Sequence, residues 1–214
     1  MVPIDSIFFD VDGTLVDSRK DIANAVNFTL RKLGVSEEAE GKIVSYIGTG
    51  VKDLIRKSLG PGKAGLLDEG IKYFSEYYMQ HSADTARLYP HVKETLEYFK
   101  DKKKYVITNR YAKSADMTLK GLFIRQHFAD ILGGDDENCL KPAACALTNF
   151  FPKLKIDKDK SIIVGDMAVD ILAGKNSGIK TCWVTYGLGK MADVRPLKPD
   201  YMIDDIAQLR QIIR

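Results

Sequence analysis

Three short apolar runs in this chain each stop at a polar tip: Ile7-Phe8-Phe9 before Asp10, Tyr105-Val106-Ile107 before Thr108-Asn109, and Ile162-Ile163-Val164 before Gly165-Asp166. Short β-rich runs separated by stretches of helical period are the signature of parallel strands joined by crossover helices. The expected fold class is α/β, a doubly wound, Rossmann-like parallel sheet. Further strands are predicted over Ala129–Leu132, Thr181–Val184 and Tyr201–Ile203. Helices are predicted around Val92, Leu96 and Phe99, around Met117, Leu119 and Leu122, and over Ala143–Phe150, Val169–Asn176 with Gly178 as a stop, and Ile206–Ile213. In open sheets of this kind ligands bind beyond the carboxyl ends of the strands, so the three polar tips should converge.

Residues 17–83 interrupt the alternation and read as helices only: Asp21–Leu33 ended by Gly34, Glu37–Tyr46, Val51–Leu59 and Leu66–His81. Gly48-Thr49-Gly50 and Gly60-Pro61-Gly62 separate them. An all-helical insertion directly after the first polar tip reads as a cap over a site. The 214-residue chain is then divided into an α/β core of residues 1–16 and 84–214 and an inserted all-helical cap domain of residues 17–83.

Composition narrows the partners. Apolar residues make up 45% and charged residues 29%, enough for a packed core and far from a disordered composition. A net charge of +3 from 32 basic and 29 acidic residues is too balanced for nucleic acid or an anionic membrane surface to be the main partner. No segment approaches the ~18 apolar residues of a membrane span, and the expected location is the cytoplasm. Cys139, Cys145 and Cys182 are odd in number and lack CxxC spacing, which predicts reduced thiols rather than a disulfide framework. Oligomeric state is left open.

The run Asp10-Val11-Asp12-Gly13-Thr14-Leu15-Val16-Asp17 carries the chemistry. Two carboxylates at the end of a buried strand are costly unless a cation or a proton-sharing role compensates them. Gly13 allows the backbone to turn and approach a ligand, and Thr14 offers a hydroxyl and an amide to an anion. This stretch resembles the first motif of the haloacid dehalogenase superfamily, most of whose members are Mg²⁺-dependent phosphohydrolases working through an aspartyl-phosphate. Thr108-Asn109 resembles the second motif, Lys141-Pro142 the third, and Gly165-Asp166-Met167-Ala168-Val169-Asp170 the fourth. Four motifs in order, spread over essentially the whole chain, make the likeness specific.

The resemblance implies roles. Asp10 is the expected nucleophile and Asp12 the general acid and then general base. Thr108, Asn109, Gly13 and Thr14 would hold phosphoryl oxygens, and Lys141 would balance the carboxylates and grip the phosphoryl group, with Pro142 opening a helix. Mg²⁺ would be held by Asp10, the backbone carbonyl of Asp12 and Asp166, with Asp170 one helical turn further on. Within the superfamily the likeness is to phosphoglycolate phosphatases, through Ile47-Gly48-Thr49-Gly50-Val51-Lys52-Asp53-Leu54, Tyr89-Pro90-His91-Val92 and Gly133-Gly134-Asp135. Arg110, where Lys often follows Thr-Asn, Ala143-Ala144 and Met167 depart from the pattern. The expected substrate is a small phosphorylated metabolite, with 2-phosphoglycolate the best single choice. A sugar phosphomutase, a pyrophosphatase or nucleotidase of the same superfamily, and a phosphate-ester sensor without turnover are the alternatives.

The cap should supply substrate choice. Gly48, Thr49 and Gly50 can present amides at the start of the Val51 helix, and Lys52 with Arg56 lies on its polar face, where the two are either solvated cations or ligands for a substrate carboxylate. His81, His91 and His127 share no metal-ligand spacing. Tyr73, Phe74, Tyr77 and Tyr78 read as the packed face of a helix, Lys102–Lys104 as solvated cations closing one, and Trp183 as core.

Overall fold

The apolar runs become strands, as their pattern predicts. The computed structural model describes residues 1–214 and contains β1 (Ser6–Phe9), the two-residue β2 (Val16–Asp17) and β3 (Arg87–Leu88), β4 (Lys103–Ile107), β5 (Asp130–Leu132), β6 (Ser161–Gly165), β7 (Lys180–Val184) and β8 (Tyr201–Ile203). Six of these form one sheet in the order β5-β4-β1-β6-β7-β8, every neighbouring pair parallel. Around it run α1 (Arg19–Lys32), α2 (Glu40–Val44), α3 (Val51–Leu59), α4 (Leu67–His81), α5 (Val92–Tyr98), α6 (Ala112–Gly121), α7 (Cys145–Thr148), α8 (Phe151–Leu154) and α9 (Ala168–Ser177).

Both faces of the sheet are covered, which is why its central strands carry consecutive apolar residues such as Ile7-Phe8-Phe9 and Ile162-Ile163-Val164. Ile7, Phe9, Val106, Ile162 and Val164 point to a face packed by Leu96 and Phe99 of the α5 region, Leu119 of α6, and Ile206 and Leu209 near the C-terminus. Phe8, Tyr105, Ile107 and Ile163 point to the opposite face, against Leu147 of α7 and Ala173 of α9. The doubly wound arrangement follows directly from this alternation. Burial of Ile7, Phe8 and Phe9 stabilises by about 1.5–3 kcal/mol each, which helps to anchor the strand that delivers the acidic tip. Helices α1, α3 and α4 enclose a separate apolar cluster that includes Ile22, Val26, Leu30, Leu54, Ile55 and Phe74.

Several local expectations are corrected. The helix expected over Glu37–Tyr46 is only Glu40–Val44, because the Asn27 side chain binds both the amide and the carbonyl of Glu38 and holds the preceding backbone against α1. The helix expected over Ala143–Phe150 starts at Cys145 and ends at Thr148; Pro152, which cannot donate, lies in the first turn of the next short helix, which begins at Phe151. Pro142 therefore precedes the helix rather than opening it, and the Lys141-Pro142 peptide is cis. The C-terminal helix is a 3₁₀ turn over Ile206–Gln208 followed by Leu209–Ile212.

Lys104 is not a solvated cation. It lies buried in β4, and its Nζ donates to the Phe99 and Lys102 carbonyls at the end of α5. Burial pushes this ammonium below the ordinary lysine range. Cys139 and Cys145 are also not free thiols: they form a disulfide across six positions, leaving Cys182 buried and free. The cysteines consequently lend no support to a reducing compartment. No helix is long and apolar enough to cross a membrane.

Candidate active site

Register brings the three tips together. Phe9 lies opposite Val106 of β4 on one side and Val164 of β6 on the other, so Asp10, Thr108 and Asp166 leave the same edge of three adjacent strands. Asp10, Asp166 and Asp170 each present a carboxylate oxygen within 4.8 Å of the others, and all three residues are buried. Lys141, in the loop before α7, reaches between two of them: its Nζ lies 2.5 Å from Asp10 Oδ1, 2.6 Å from Asp170 Oδ1 and 3.1 Å from the Ile107 carbonyl.

Charge explains the geometry. Burial raises the Asp10 carboxyl well above the usual range, and the Lys141 ammonium opposes that rise. Burial, followed by the charge of Asp170, lifts Asp166 to about 7, while the Leu188 amide, the Thr14 hydroxyl and Lys141 restrain it. Burial alone would lower the Lys141 ammonium, but the Asp10 and Asp170 carboxylates carry it above the ordinary lysine range. One cation among three buried carboxylates leaves a net negative hole. Hard oxygen donors at this spacing suit a divalent cation.

Asp166 is oriented from several sides. Its Oδ1 accepts from the Thr14 hydroxyl at 3.0 Å, its Oδ2 from the amides of Leu188 at 2.6 Å and Gly189 at 3.2 Å, and its carbonyl from Trp183 Nε1 at 2.8 Å. Gly13 has φ +95°, and a Cβ there would lie 2.3 Å from Asp166 Oδ2, so glycine is required by conformation and by space. Asp170 Oδ2 accepts from the Met167 amide at 2.9 Å, which fixes the start of α9.

Asp12 turns away from the metal-like cluster. Its Oδ1 accepts from Ser18 Oγ at 2.5 Å and from Arg110 Nη1 at 2.9 Å. Thr108 faces the cavity, and its hydroxyl accepts from the Arg110 amide at 3.2 Å. The Asn109 side chain is fully engaged within the protein: Nδ2 donates to the Gly48 carbonyl at 2.8 Å and the Lys141 carbonyl at 2.9 Å, while Oδ1 accepts from the Lys141 amide at 2.7 Å. It acts as a clamp on the Lys141 backbone.

A cavity open to solvent lies between these groups and helices α1, α3 and α4. Asp10, Asp12, Thr108, Asn109, Lys141 and Asp170 line its polar side, and Gly48 and Gly50 also face it. Gly13, Thr14, Thr49, Lys52 and Asp166 do not. Gly13 and Thr14 support Asp166 from behind, and the Thr49 hydroxyl binds Asp53. Lys52 is brought to a different place altogether: its Nζ pairs with Glu137 at 2.7 Å, with both side chains about half exposed. Arg56 pairs with Asp53 on the surface.

Apart from the Leu188 and Gly189 amides, this arrangement falls within residues 7–184, which match the family model for haloacid dehalogenase-like hydrolases. The chain belongs to that family. It is 33% identical over 217 residues to a phosphoglycolate phosphatase of Haemophilus influenzae, covering 97% of each chain. It is 35% identical over 187 residues to one of Aquifex aeolicus, covering 86% of each. The crystal structure of a predicted phosphoglycolate phosphatase from Haemophilus somnus superposes with a TM-score of 0.89 at 28% identity, covering 99% of both chains. This hydrolase thus shares length and fold with phosphatases acting on phosphoric monoesters.

Four residues support the site although the sequence pointed to no part for them in it. Ser18 and Arg110 hold Asp12, Trp183 holds the Asp166 carbonyl, and Tyr78 lies under the Arg110 guanidinium at 4.7 Å. Only Arg110 carried a signal, through its place directly after Thr108-Asn109. Ser18 lies six residues after Asp12, just past the acidic run, whereas Tyr78 and Trp183 arrive from distant positions that no local pattern connects.

Proposed function

We propose that this hydrolase cleaves a small phosphate monoester in two steps through an aspartyl-phosphate on Asp10, with Mg²⁺ and with 2-phosphoglycolate as the preferred substrate. The observation that carries the reading is Asp10 at the cavity wall, ion-paired to Lys141, with Asp12 held beside the same cavity by Ser18 and Arg110. An Asp10 oxygen attacks phosphorus, the phosphorus–ester oxygen bond breaks, and Asp12 gives its proton to the departing oxygen. Asp12 then takes a proton from the water that attacks the phosphoryl group, and the bond to Asp10 breaks, releasing inorganic phosphate. Lys141 offsets charge on the phosphoryl oxygens, and Thr108 is positioned to contact them. Asp10, Asp166 and Asp170 supply the side-chain oxygens that would hold Mg²⁺, which neutralises phosphoryl charge when bound. The helices over the cavity act as the cap, excluding bulk water and choosing among leaving groups.

The reading further takes the enzyme to be cytoplasmic, since small phosphate dianions do not cross a bilayer unaided. Phosphate release from p-nitrophenyl phosphate with Mg²⁺, its loss with chelator, and saturation by 2-phosphoglycolate test the assignment. Asp10→Asn should retain the wild-type circular dichroism spectrum and lose turnover by at least about 10³-fold. Wild-type activity in that variant would refute the covalent route.

A further inference from the structure

Cations around the cavity are few. Of the residues that line it, only Lys141 and Arg110 carry positive charge, and Lys141 is held between Asp10 and Asp170. The inserted helices contribute apolar side chains such as Ile22, Leu54 and Phe74, while Lys52 and Arg56 pair with acidic residues on the surface. A second anion on a bound phosphate ester therefore has one basic side chain left to meet.

Arg110 is built for that contact. It is 7% exposed. Its Nη1 donates to Asp12 at 2.9 Å, and its Nη2 to the Ser114 carbonyl at 3.0 Å and the Thr118 hydroxyl at 2.8 Å. The Tyr78 ring packs against its guanidinium at 4.7 Å. Its Nε is buried and has no partner. A guanidinium so rigidly held pays little entropy on meeting a ligand, and an unmatched buried donor is costly until something accepts from it. Location adds a distance constraint. Asp12 must touch the ester oxygen that leaves, and in an ester such as 2-phosphoglycolate a single carbon separates that oxygen from the carboxylate. A carboxylate at that remove falls beside the groups hydrogen-bonded to Asp12, which are Ser18 and Arg110, and of these only Arg110 lines the cavity and carries charge.

We propose that Arg110 reads a carboxylate one carbon from the ester oxygen, which makes phosphate monoesters of 2-hydroxy acids the substrate class and Arg110, rather than any lysine of the cap, its specificity-determining residue. This rests on the phosphatase reading above. The test compares 2-phosphoglycolate with 2-hydroxyethyl phosphate, an ester of similar size that lacks the carboxylate. Wild type should favour 2-phosphoglycolate in kcat/KM by about 10- to 100-fold, the scale of a charge-assisted hydrogen bond. R110M should bring that ratio close to one through a raised KM for 2-phosphoglycolate, while the lost hold on Asp12 lowers kcat on both esters alike. R110K keeps the charge but not the fork and should retain an intermediate ratio; it decides the matter if R110M does not fold. A wild-type ratio near one, with p-nitrophenyl phosphate still cleaved, overturns the substrate reading and this inference together. A high wild-type ratio left unchanged in both variants overturns the inference alone and leaves Arg110 as a positioning residue for Asp12.

Discussion

Lys141 shows how much of the site depends on one charge. Its ammonium is the only cation among three buried carboxylates, two of which it touches. Removing one partner from a buried ion pair typically costs about 3–5 kcal/mol, because the charge left behind has neither water nor counter-ion. Lys141→Met should therefore lower unfolding free energy by about 3 kcal/mol in urea titration as well as abolish activity. Added Mg²⁺ should return part of the lost stability, since a divalent cation binding only the folded site offsets the same charges. Asp10, Asp12 and Asp166 were legible in the sequence because carboxylates at strand ends announce their chemistry, whereas Lys141 in a loop and Asp170 in α9 were legible only through the order of the motifs they resemble. The positions of Gly13, Thr14 and Asn109 were also visible, but not what they do: their partners Asp166, Gly48 and Lys141 are remote in sequence, and phosphate binding and structural support call for the same small polar residues.

At the scale of elements, α3 illustrates the same limit. Gly48 and Gly50 reach the cavity as expected, yet the charged face of the helix is satisfied elsewhere, with Lys52 on Glu137 and both Arg56 and Lys57 on Asp53. Burial opposes ionisation of Asp53, but Lys57, Thr49 and Arg56 together hold its carboxyl down at about 2. A carboxyl depressed below its unfolded value near 3.9 contributes stability in full above about pH 4, and loses it as pH falls through about 2. Asp53→Asn should thus cost about 1–2 kcal/mol at pH 7, the lower part of the range reflecting partial solvent screening. The difference from wild type should vanish near pH 2 in a series of thermal melts. The apolar runs of the sheet and the amphipathic α1 and α4 were readable because a covered face imposes its pattern on the chain. The pair β2–β3 was not, since two residues per strand carry no period. The helix expected over 143–150 is only Cys145–Thr148, since Pro152 lacks the amide that would continue it, a backbone constraint that hydrophobic pattern does not record.

Across the whole molecule, two apolar cores must act as one body if the cavity between them is to keep its shape. Helices α1–α4 lie between β2 and β3, which pair antiparallel in a small sheet of their own, and Val16 pairs with Leu88 at that root. Asp21 of α1 reinforces it from a buried position: its carboxylate accepts from the Thr85 amide at 3.0 Å, the Thr85 hydroxyl at 2.5 Å and the Ala86 amide at 2.8 Å. One side chain at the start of the insertion thereby satisfies three donors at its end. Asp21→Ala leaves those donors without an acceptor, and charge-assisted hydrogen bonds of this kind are worth about 1.5–3 kcal/mol each before relaxation and entering water recover part of the loss. A net destabilisation of about 2–4 kcal/mol is expected in urea unfolding. Because the bonds join the segments through which the helical cluster connects to the sheet, the variant should also lose cooperativity, with a smaller m-value and non-coincident fluorescence and circular dichroism transitions. Asp21→Asn, which keeps an acceptor oxygen but not the charge, should fall between the two. A full-size, coincident transition in Asp21→Ala would mean that β2–β3 pairing and the Asn109 bond to Gly48 suffice to couple the two cores.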